Sequence, residues 1–257
     1  MFTLDFLLYV LLGLTAQLVD GALGMAYGLI TTSVLLATGT PPAIASATVH
    51  AAEVVTTGLA GASHVWHKNI DWKLFARLAP AGVAGGVLGA YVLVGLPENI
   101  VKIFITVYLI AMTALIARRV MKKEQKNPPK KEKREKQVPT IPLGAGGGFL
   151  DAVGGGGWGP LVTSTLIVRG DNPRKSIGSV SLSEFFLTIA VSVAFVFSLN
   201  WQEYARLVLG LIIGGAIAAP FAGWLSKIIA PRILMIMVAA VVAALAIANL
   251  VRLFFSE

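Results

Sequence analysis

The chain has 257 residues, a formal net charge of +8 and a hydrophobic fraction of 56%. Its mean hydropathy of +0.79, with only 13% charged residues, excludes an ordinary soluble domain and is typical of a polytopic membrane protein. The charge does not indicate nucleic-acid binding, because ten of the 21 Lys and Arg residues lie in one stretch, Arg118–Lys136. The sequence has no Cys, which excludes disulfides, thiolate metal sites and Cys nucleophiles.

The first half is predicted to form a broken hairpin followed by three spanning helices. The apolar segment Leu4–Val19 leads into a glycine-rich break, Asp20–Gly28, and then into a short arm, Tyr27–Thr38. Because the N-terminus lacks a basic n-region and a small-residue cleavage site, Leu4–Val19 is expected to be a retained membrane helix. Three later segments are long enough to cross a hydrocarbon core of about 30 Å: Ala43–Trp66, Leu74–Val94 and Ile100–Ala117.

A charged segment separates two halves with similar sequence patterns. Residues 120–138 are rich in Lys, Arg and Glu and are predicted to be a solvated linker. The linker would join a first transmembrane repeat, 1–119, to a second, 139–257. An offset of 131 residues aligns the halves at polar and proline positions: Asp20 with Asp151, Pro42 with Pro173, Glu53 with Glu184, Thr57 with Thr188 and Asn69 with Asn200.

The second half contains its own break, Asp151–Gly159, with four consecutive glycines inside apolar sequence. Each glycine costs about 1 kcal/mol relative to Ala in a helix interior, so the helix is predicted to end there. The flanking arms, Ile141–Val153 and Pro160–Val168, are too short to span, which predicts a re-entrant hairpin. We expect the two breaks to face each other, with the cargo carried between them. Since Leu4–Val19 could nearly span, the sequence leaves open whether the first hairpin is re-entrant.

The distribution of Lys and Arg predicts the orientation of the two halves. With the linker in the cytoplasm, eight of the eleven basic residues outside it also fall on the cytoplasmic side. Corresponding loops of the halves swap charge, which indicates opposite orientations, as in many secondary transporters. The predicted fold is an all-α polytopic membrane protein of two inverted-topology repeats. Each repeat has a broken or re-entrant helical hairpin plus three spanning helices, and both termini lie outside the plasma membrane.

Four acidic residues lie at predicted membrane depth, where no Lys or Arg is predicted to neutralise them. Intramembrane acids are functional candidates by default. Glu53 and Glu184 are predicted either to couple transport to protons or cations, or to be protonated side chains bonded to a neighbouring helix. Asp20 and Asp151 either share the coupling role or cap the helix that follows each break. His50, one turn before Glu53, is either a proton relay or a packing residue.

The two breaks offer a way to bind an anion without a basic side chain. Backbone N–H groups and the dipole at a helix N-terminus favour negative charge, although the glycines could instead serve tight helix packing. Tyr27 and Trp158, at equivalent positions, either wall the cavity or simply pack. No catalytic residue, metal ligand or cofactor is predicted. The predicted substrate-binding residues are glycines, hydroxyls and aromatics: Gly24, Tyr27, Gly28, Thr31, Thr32, Ser33, Gly155, Gly156, Gly157, Trp158, Gly159, Thr163 and Ser164.

Two stretches resemble the TauE/SafE family of membrane proteins, also called the sulfite exporter family. They are Leu18–Gly28, followed by Ala45-Ser46-Ala47, and Gly147–Pro160, followed by Gly178-Ser179-Val180. The resemblance covers nearly the whole chain. It implies a secondary transporter, not an enzyme, that exports small sulfur-containing anions such as sulfite, sulfoacetate or related organosulfonates. The expected partners are this anion and the lipid bilayer, and a homodimer is left open.

Two other functions are also compatible with the pattern. A passive anion channel would differ from a carrier in showing no acceleration of uptake by substrate on the opposite side. A membrane-embedded enzyme acting on a lipid phosphate can also use inverted hairpins. Such an enzyme would need an Arg at the depth of its catalytic residues, and the sequence places none there.

Overall fold

The computed structural model of the protein describes residues 4–23, 25–121, 139–228 and 231–255. Within these ranges all regular elements are helical, which confirms the predicted all-α polytopic fold. A π turn, Gly159–Thr163, leads directly into α7, and a 3-10 turn, Trp201–Glu203, precedes α9. The helices are α1 Leu4–Leu23, α2 Tyr27–Ala37, α3 Pro42–Trp66, α4 Trp72–Gly95, α5 Glu98–Met121, α6 Thr140–Gly154, α7 Ser164–Val168, α8 Pro173–Ser198, α9 Ala205–Ile228 and α10 Pro231–Phe255.

Five of these helices are long and apolar enough to cross a membrane, namely α1, α3, α4, α5 and α8. The outward face of α5 illustrates why, since Ile103, Val107 and Ile110 are 55%, 61% and 46% exposed. Large apolar side chains in such a row match the hydrocarbon of a bilayer rather than water. The shorter arms α2 and Gly159–Val168 are apolar but fall below spanning length, as the sequence predicts.

Helices at equivalent places in the two halves pack in a reciprocal way. Helix α1 packs along α9, while its counterpart α6 packs along α4, the counterpart of α9. Glycines make these approaches possible. A Cβ added at Gly85 would lie 1.9 Å from the carbonyl oxygen of Ala145, and one at Gly214 would lie 2.0 Å from that of Val10. Backbones this close are typical of small-residue packing between membrane helices.

The equivalent helices α3 and α8 run antiparallel against each other. At one end, the Lys175 amine near the start of α8 donates to the carbonyl of Lys68, just after α3, at 2.8 Å. At the other end, the rings of His50 and Phe195 lie 6.3 Å apart. Thr57 and Thr188, which the 131-residue offset aligns, meet between these ends with their hydroxyl oxygens 3.4 Å apart.

The breaks are shorter than the sequence predicts. Helix α1 continues to Leu23, so Asp20 lies inside its last turns, and α6 continues to Gly154, so Asp151 does too. In the second half only residues 155–158 separate α6 from the π turn. Gly24 and residues 122–138, the core of the predicted linker, lie outside the described residues, and the repeat boundaries stay predictions.

The two breaks touch each other. A Cβ added at Gly28 would lie 2.7 Å from Gly156 Cα, and the Thr32 hydroxyl donates a hydrogen bond to the Gly155 carbonyl. Gly155, Gly156 and Gly157 have φ values of 68°, 137° and 127°. Residues with a Cβ rarely adopt these conformations, so this run of glycines is required by the path of the chain.

Candidate functional site

In each break, an aspartate from the preceding helix accepts hydrogen bonds from backbone N–H groups that follow the break. Asp20 Oδ1 accepts hydrogen bonds from the backbone N–H groups of Ala26 at 2.6 Å and Tyr27 at 3.1 Å. Asp151 Oδ1 accepts from the backbone N–H of Trp158, the repeat equivalent of Tyr27, at 2.8 Å. The carboxyl groups therefore satisfy N–H donors that a helix start leaves without partners.

Asp151 also pairs with a buried histidine. His50 is fully buried, and its Nε2 lies 3.1 Å from Asp151 Oδ2. The other ring nitrogen, Nδ1, lies 2.8 Å from the carbonyl oxygen of Ser46, an acceptor only, so Nδ1 must carry a hydrogen. Nε2 and Oδ2 then share one proton, and the pair has no net charge whichever atom holds it. His50 is thus bonded to Asp151 and Ser46. Its role as a proton relay or as a packing residue, which the sequence leaves open, stays a prediction.

Asp20 has no equivalent histidine partner among the described residues. The repeat offset places Ser181 at the position equivalent to His50. Ser181 lines a cavity together with Asp20, whereas Asp151 is only 1% exposed and lies outside that lining. The two aspartates therefore fasten equivalent breaks but differ in surroundings. Asp151 pairs with His50 inside the protein, whereas Asp20 lines the cavity.

A polar cavity of about 170 Å³ lies where α1 and α2 of the first half meet α8 and the π turn of the second. Among the described residues, its lining has three carboxyl groups and no Lys or Arg. Along α3 the lining extends from Glu53 to His64, close to the C-terminal end of that helix. Five of the predicted functional residues contribute to it: Asp20, Tyr27, Glu53, Thr163 and Glu184.

Glu53 reaches the start of α2 from α3. Its carboxyl group accepts a hydrogen bond from the backbone N–H of Gly28. A Cβ at Gly28 would lie 2.9 Å from Glu53 Oε1, so only glycine allows this approach. Because Asp20 already binds the N–H groups of Ala26 and Tyr27, two carboxyl groups occupy three N–H donors at the start of α2.

The other predicted substrate residues have packing or bonding roles in this conformation. The Thr31 hydroxyl donates to the Tyr27 carbonyl at 2.7 Å, and the Gly156 N–H donates to the Asp151 carbonyl at 3.0 Å. Gly24 lies outside the described residues. Ten predicted residues lie outside the lining of the cavity: Gly28, Thr31, Thr32, Ser33, Gly155, Gly156, Gly157, Trp158, Gly159 and Ser164.

The aromatic residues of the two breaks differ in environment. Trp158 is fully buried, donates from its indole to the Val180 carbonyl at 3.1 Å, and lies against Gly82, where a Cβ would come within 2.5 Å of the ring. Tyr27 instead donates to the carbonyl of Leu211 at 3.4 Å and lines the cavity. A two-residue gap after Asn200 reduces the offset between the halves to 129, which makes Leu211 the repeat equivalent of Gly82. The larger ring therefore lies against the smaller residue.

Two residues of this region were not predicted from the sequence. The Tyr108 hydroxyl of α5 donates to the Gly156 carbonyl at 2.5 Å and packs against Gly154 and Gly157. Gln17 of α1 lines the cavity, and its side-chain oxygen has no hydrogen-bond partner among the described residues. Gln17 could have been predicted from the sequence, because it is an amide side chain one turn before Asp20 in a mainly apolar helix.

Comparison with known proteins places the chain in a family. The model of the family described as Sulfite exporter TauE/SafE matches residues 9–249. The chain belongs to the TauE/SafE sulfite exporter family. It is also 41% identical over 234 residues to the Probable membrane transporter protein YtnM of Bacillus subtilis (strain 168), covering 90% of this chain and 78% of that protein. No solved structure matches the chain significantly. The resemblance to TauE/SafE proteins is confirmed, and the chain is a multi-pass member of a membrane transporter family.

Proposed function

We propose that this TauE/SafE protein is a proton-coupled secondary transporter that exports small sulfur-containing anions, such as sulfite or a short organosulfonate. The observation that carries the proposal is the cavity between the two halves, lined by Asp20, Glu53 and Glu184. The substrate class comes from the family, which is described as sulfite exporters. The proposed coupling of transport to protons is inferred from the carboxyl groups that line the cavity.

An anion can enter this cavity only together with protons. Three carboxylates in a lining that has no Lys or Arg among the described residues would repel an anion, and a buried charge without a partner is strongly disfavoured. Protonated carboxyl groups are instead hydrogen-bond donors. Thr163 and Ser181 line the same space and supply further hydroxyl donors, whereas the Thr57 hydroxyl donates to the Glu53 carbonyl at 2.6 Å. Anion binding and carboxyl protonation thus become one event.

Protonation would also release the backbone donors that the sequence predicts as an anion site. In this conformation Asp20 and Glu53 accept the N–H groups at the start of α2, where an anion would otherwise bind. Neutral carboxyl groups hold such donors less strongly than carboxylates do. The protein's own carboxylates therefore occupy the place of the substrate until protons arrive.

The helix packing supports a carrier built from an inverted repeat, with helices of both halves in each packed group. The equivalent helices α3 and α8 are antiparallel, and α1–α9 packing mirrors α6–α4 packing, as expected for an inverted repeat. The cavity extends along α3 towards the loop after Trp66, which the charge distribution assigns to the cytoplasm. We infer that this conformation receives its cargo from the cytoplasmic side.

Transport assays in proteoliposomes test the proposal. We expect Glu53→Gln and Glu184→Gln each to lower sulfite transport by at least about tenfold and to flatten its pH dependence, because each removes a titrating group from the cavity. Glu98→Gln is the matched control, since Glu98 is exposed and pairs with Lys102 at 2.8 Å on the surface of α5. Unchanged rates and pH profiles in both cavity variants would refute the coupling role.

A second measurement separates a carrier from a channel. For a carrier, sulfite on the trans side should accelerate uptake of labelled sulfite, because the loaded site returns faster than the empty one. Absence of this acceleration in the wild-type protein would contradict alternating access, whatever the glutamate variants do.

A further inference from the structure

A second polar pocket, of about 250 Å³, lies at the end of the molecule where the loops after α3 and α7 meet. Its lining combines four basic side chains with two acidic ones. None of the residues around it is among those predicted or proposed above to bind the transported anion. The basic side chains are Lys73, Arg77, Arg169 and Lys175.

The acidic residues of this basic pocket are already engaged. Asp71 caps α4, accepting from the backbone N–H groups of Lys73 at 3.0 Å and Leu74 at 3.1 Å. Asp171 accepts from Arg169 Nε at 2.9 Å. The pocket therefore keeps an excess of positive charge, opposite in sign to the carboxyl-lined cavity.

Three helices begin at this pocket. Its lining includes Thr140 at the start of α6, Lys73 in the first turn of α4, and Ser176 in the first turn of α8. Helix N-termini carry partial positive charge and favour an anion. Asp71 caps α4 and Asn172 accepts from the Lys175 N–H at the start of α8, so the uncapped start of α6 and the four basic side chains are what would attract a small dianion here.

A buried hydroxyl supplies the independent sign of a ligand. Ser176 is 1% exposed, lines the pocket, and its Oγ has no hydrogen-bond partner among the described residues. Buried hydroxyls in proteins nearly always have a partner, so this one lacks an acceptor that a bound oxyanion would provide. Helix α8 also connects the pocket to the cavity, since Ser176 precedes Glu184 by eight residues, about 12 Å along the helix.

We propose that the basic pocket binds a tetrahedral or pyramidal oxyanion, a sulfate-, sulfite- or phosphate-type group, at a site separate from the transport cavity. This location, on the same end as the cavity opening, suits an anion held before it moves along α8 to Glu184. Phosphate groups of anionic lipids carry the same chemistry and are therefore a second source of the oxyanion. The site does not depend on which anion the protein transports.

Binding of sulfate to the purified full-length protein in phosphatidylcholine nanodiscs tests this site. We expect sulfate to raise the melting temperature above that seen with chloride at equal ionic strength. Arg77→Gln and, separately, Ser176→Ala should weaken the apparent sulfate affinity, the first by about tenfold, because each removes a donor to the oxyanion.

The repeat supplies a matched control. Arg206 is the equivalent of Arg77, is exposed near the start of α9, and lies outside the basic pocket. Arg206→Gln should therefore leave sulfate affinity unchanged. Equal affinities in Arg77→Gln, Ser176→Ala and Arg206→Gln, or no sulfate effect in wild type, would overturn the proposal.

A lipid competition experiment identifies the source of the oxyanion. If phosphatidylglycerol in the nanodiscs weakens sulfate binding to wild type but not to Arg77→Gln, the lipid phosphate occupies the same site. If it leaves sulfate binding unchanged, the site takes the free anion. Both results support an oxyanion site at Arg77. Equal competition by phosphatidylglycerol in wild type and Arg77→Gln would place the lipid elsewhere and contradict the lipid assignment.

Discussion

At the scale of single residues, two aspartates at equivalent positions have acquired different surroundings. Both close a break by accepting backbone N–H groups, but only Asp151 has a histidine beside it. The residue of the second half equivalent to His50 is Ser181, and Asp20 faces the cavity together with it. We therefore interpret Asp151 with His50 as a structural pair, and assign proton coupling to Asp20 with the two glutamates.

The structural pair makes a quantitative prediction. His50→Leu should lower the free energy of unfolding by about 3–5 kcal/mol, because it leaves a buried carboxyl group without its partner. Asp151→Asn should cost much less, since an amide can still accept from Trp158 and donate to Nε2 of the histidine. The double variant should recover part of the loss. Denaturation of each variant in detergent micelles measures these differences.

His67 provides the control for this experiment. Its Nδ1 lies 2.8 Å from the carbonyl oxygen of Ser63, four residues earlier, as His50 lies against Ser46, but His67 is exposed and forms no ion pair with a carboxylate in the described part of the chain. His67→Leu should change stability by less than about 0.5 kcal/mol. Equal losses for His50→Leu and His67→Leu would show that the Asp151 contact contributes nothing.

The residue scale also shows what sequence can and cannot predict. The four membrane acids were recognisable because charge is rare in apolar segments. The partner of Asp151 was not, because His50 is about one hundred residues away in the chain and the aligned halves suggested the same role for both aspartates. The contact between α3 and α6 exists only after the helices have packed.

At the scale of elements, the second break depends on glycines that no other residue can replace. Gly157 has a φ of 127°, and a Cβ there would lie 1.7 Å from the hydroxyl of Tyr108. The composition predicted a break at this place. It could not show that the break serves packing against α5 and Gly28 rather than an open ring of N–H donors, because that depends on which helices approach it.

Gly157→Ala should therefore destabilise the protein by about 1–3 kcal/mol through backbone strain, in addition to the clash with Tyr108. Gly146→Ala is the control, because Gly146 lies in α6 with nothing within 4 Å of an added Cβ. Ala should stabilise the helix there by up to about 1 kcal/mol. Melting temperatures in detergent should thus move in opposite directions, and a common direction would contradict this interpretation of the break.

Packing across the halves gives a compensation test. Gly82→Ala places a methyl group 2.5 Å from the ring of Trp158, and overpacking of this kind typically costs about 1–3 kcal/mol. Adding Trp158→Tyr should restore part of the stability, because the equivalent pair Leu211 and Tyr27 already combines a larger residue with a smaller ring. If the double variant is as unstable as the sum of the single ones, the two sites do not interact.

At the scale of the whole molecule, charge is arranged in series along α8. The basic pocket lies at the start of that helix, and Glu184, the carboxyl group that α8 contributes to the cavity, lies about two turns further along. An anion attracted by the first would enter the second only as the carboxyl groups take up protons. An exported anion would then leave the cell together with the protons that its binding requires, provided that the cavity can open on either side.

The orientation of the halves is the condition on which that scheme depends, and cysteine labelling tests it directly because the protein has no native Cys. Lys68 and Gln202 lie in the equivalent loops after α3 and α8. In an inverted repeat, Gln202→Cys should react in intact cells with an impermeant maleimide, whereas Lys68→Cys should react only after permeabilisation. Lys126→Cys in the linker should behave like Lys68→Cys. Parallel halves would give Lys68 and Gln202 the same accessibility, and the antiparallel contact of α3 with α8 would then have to be wrong.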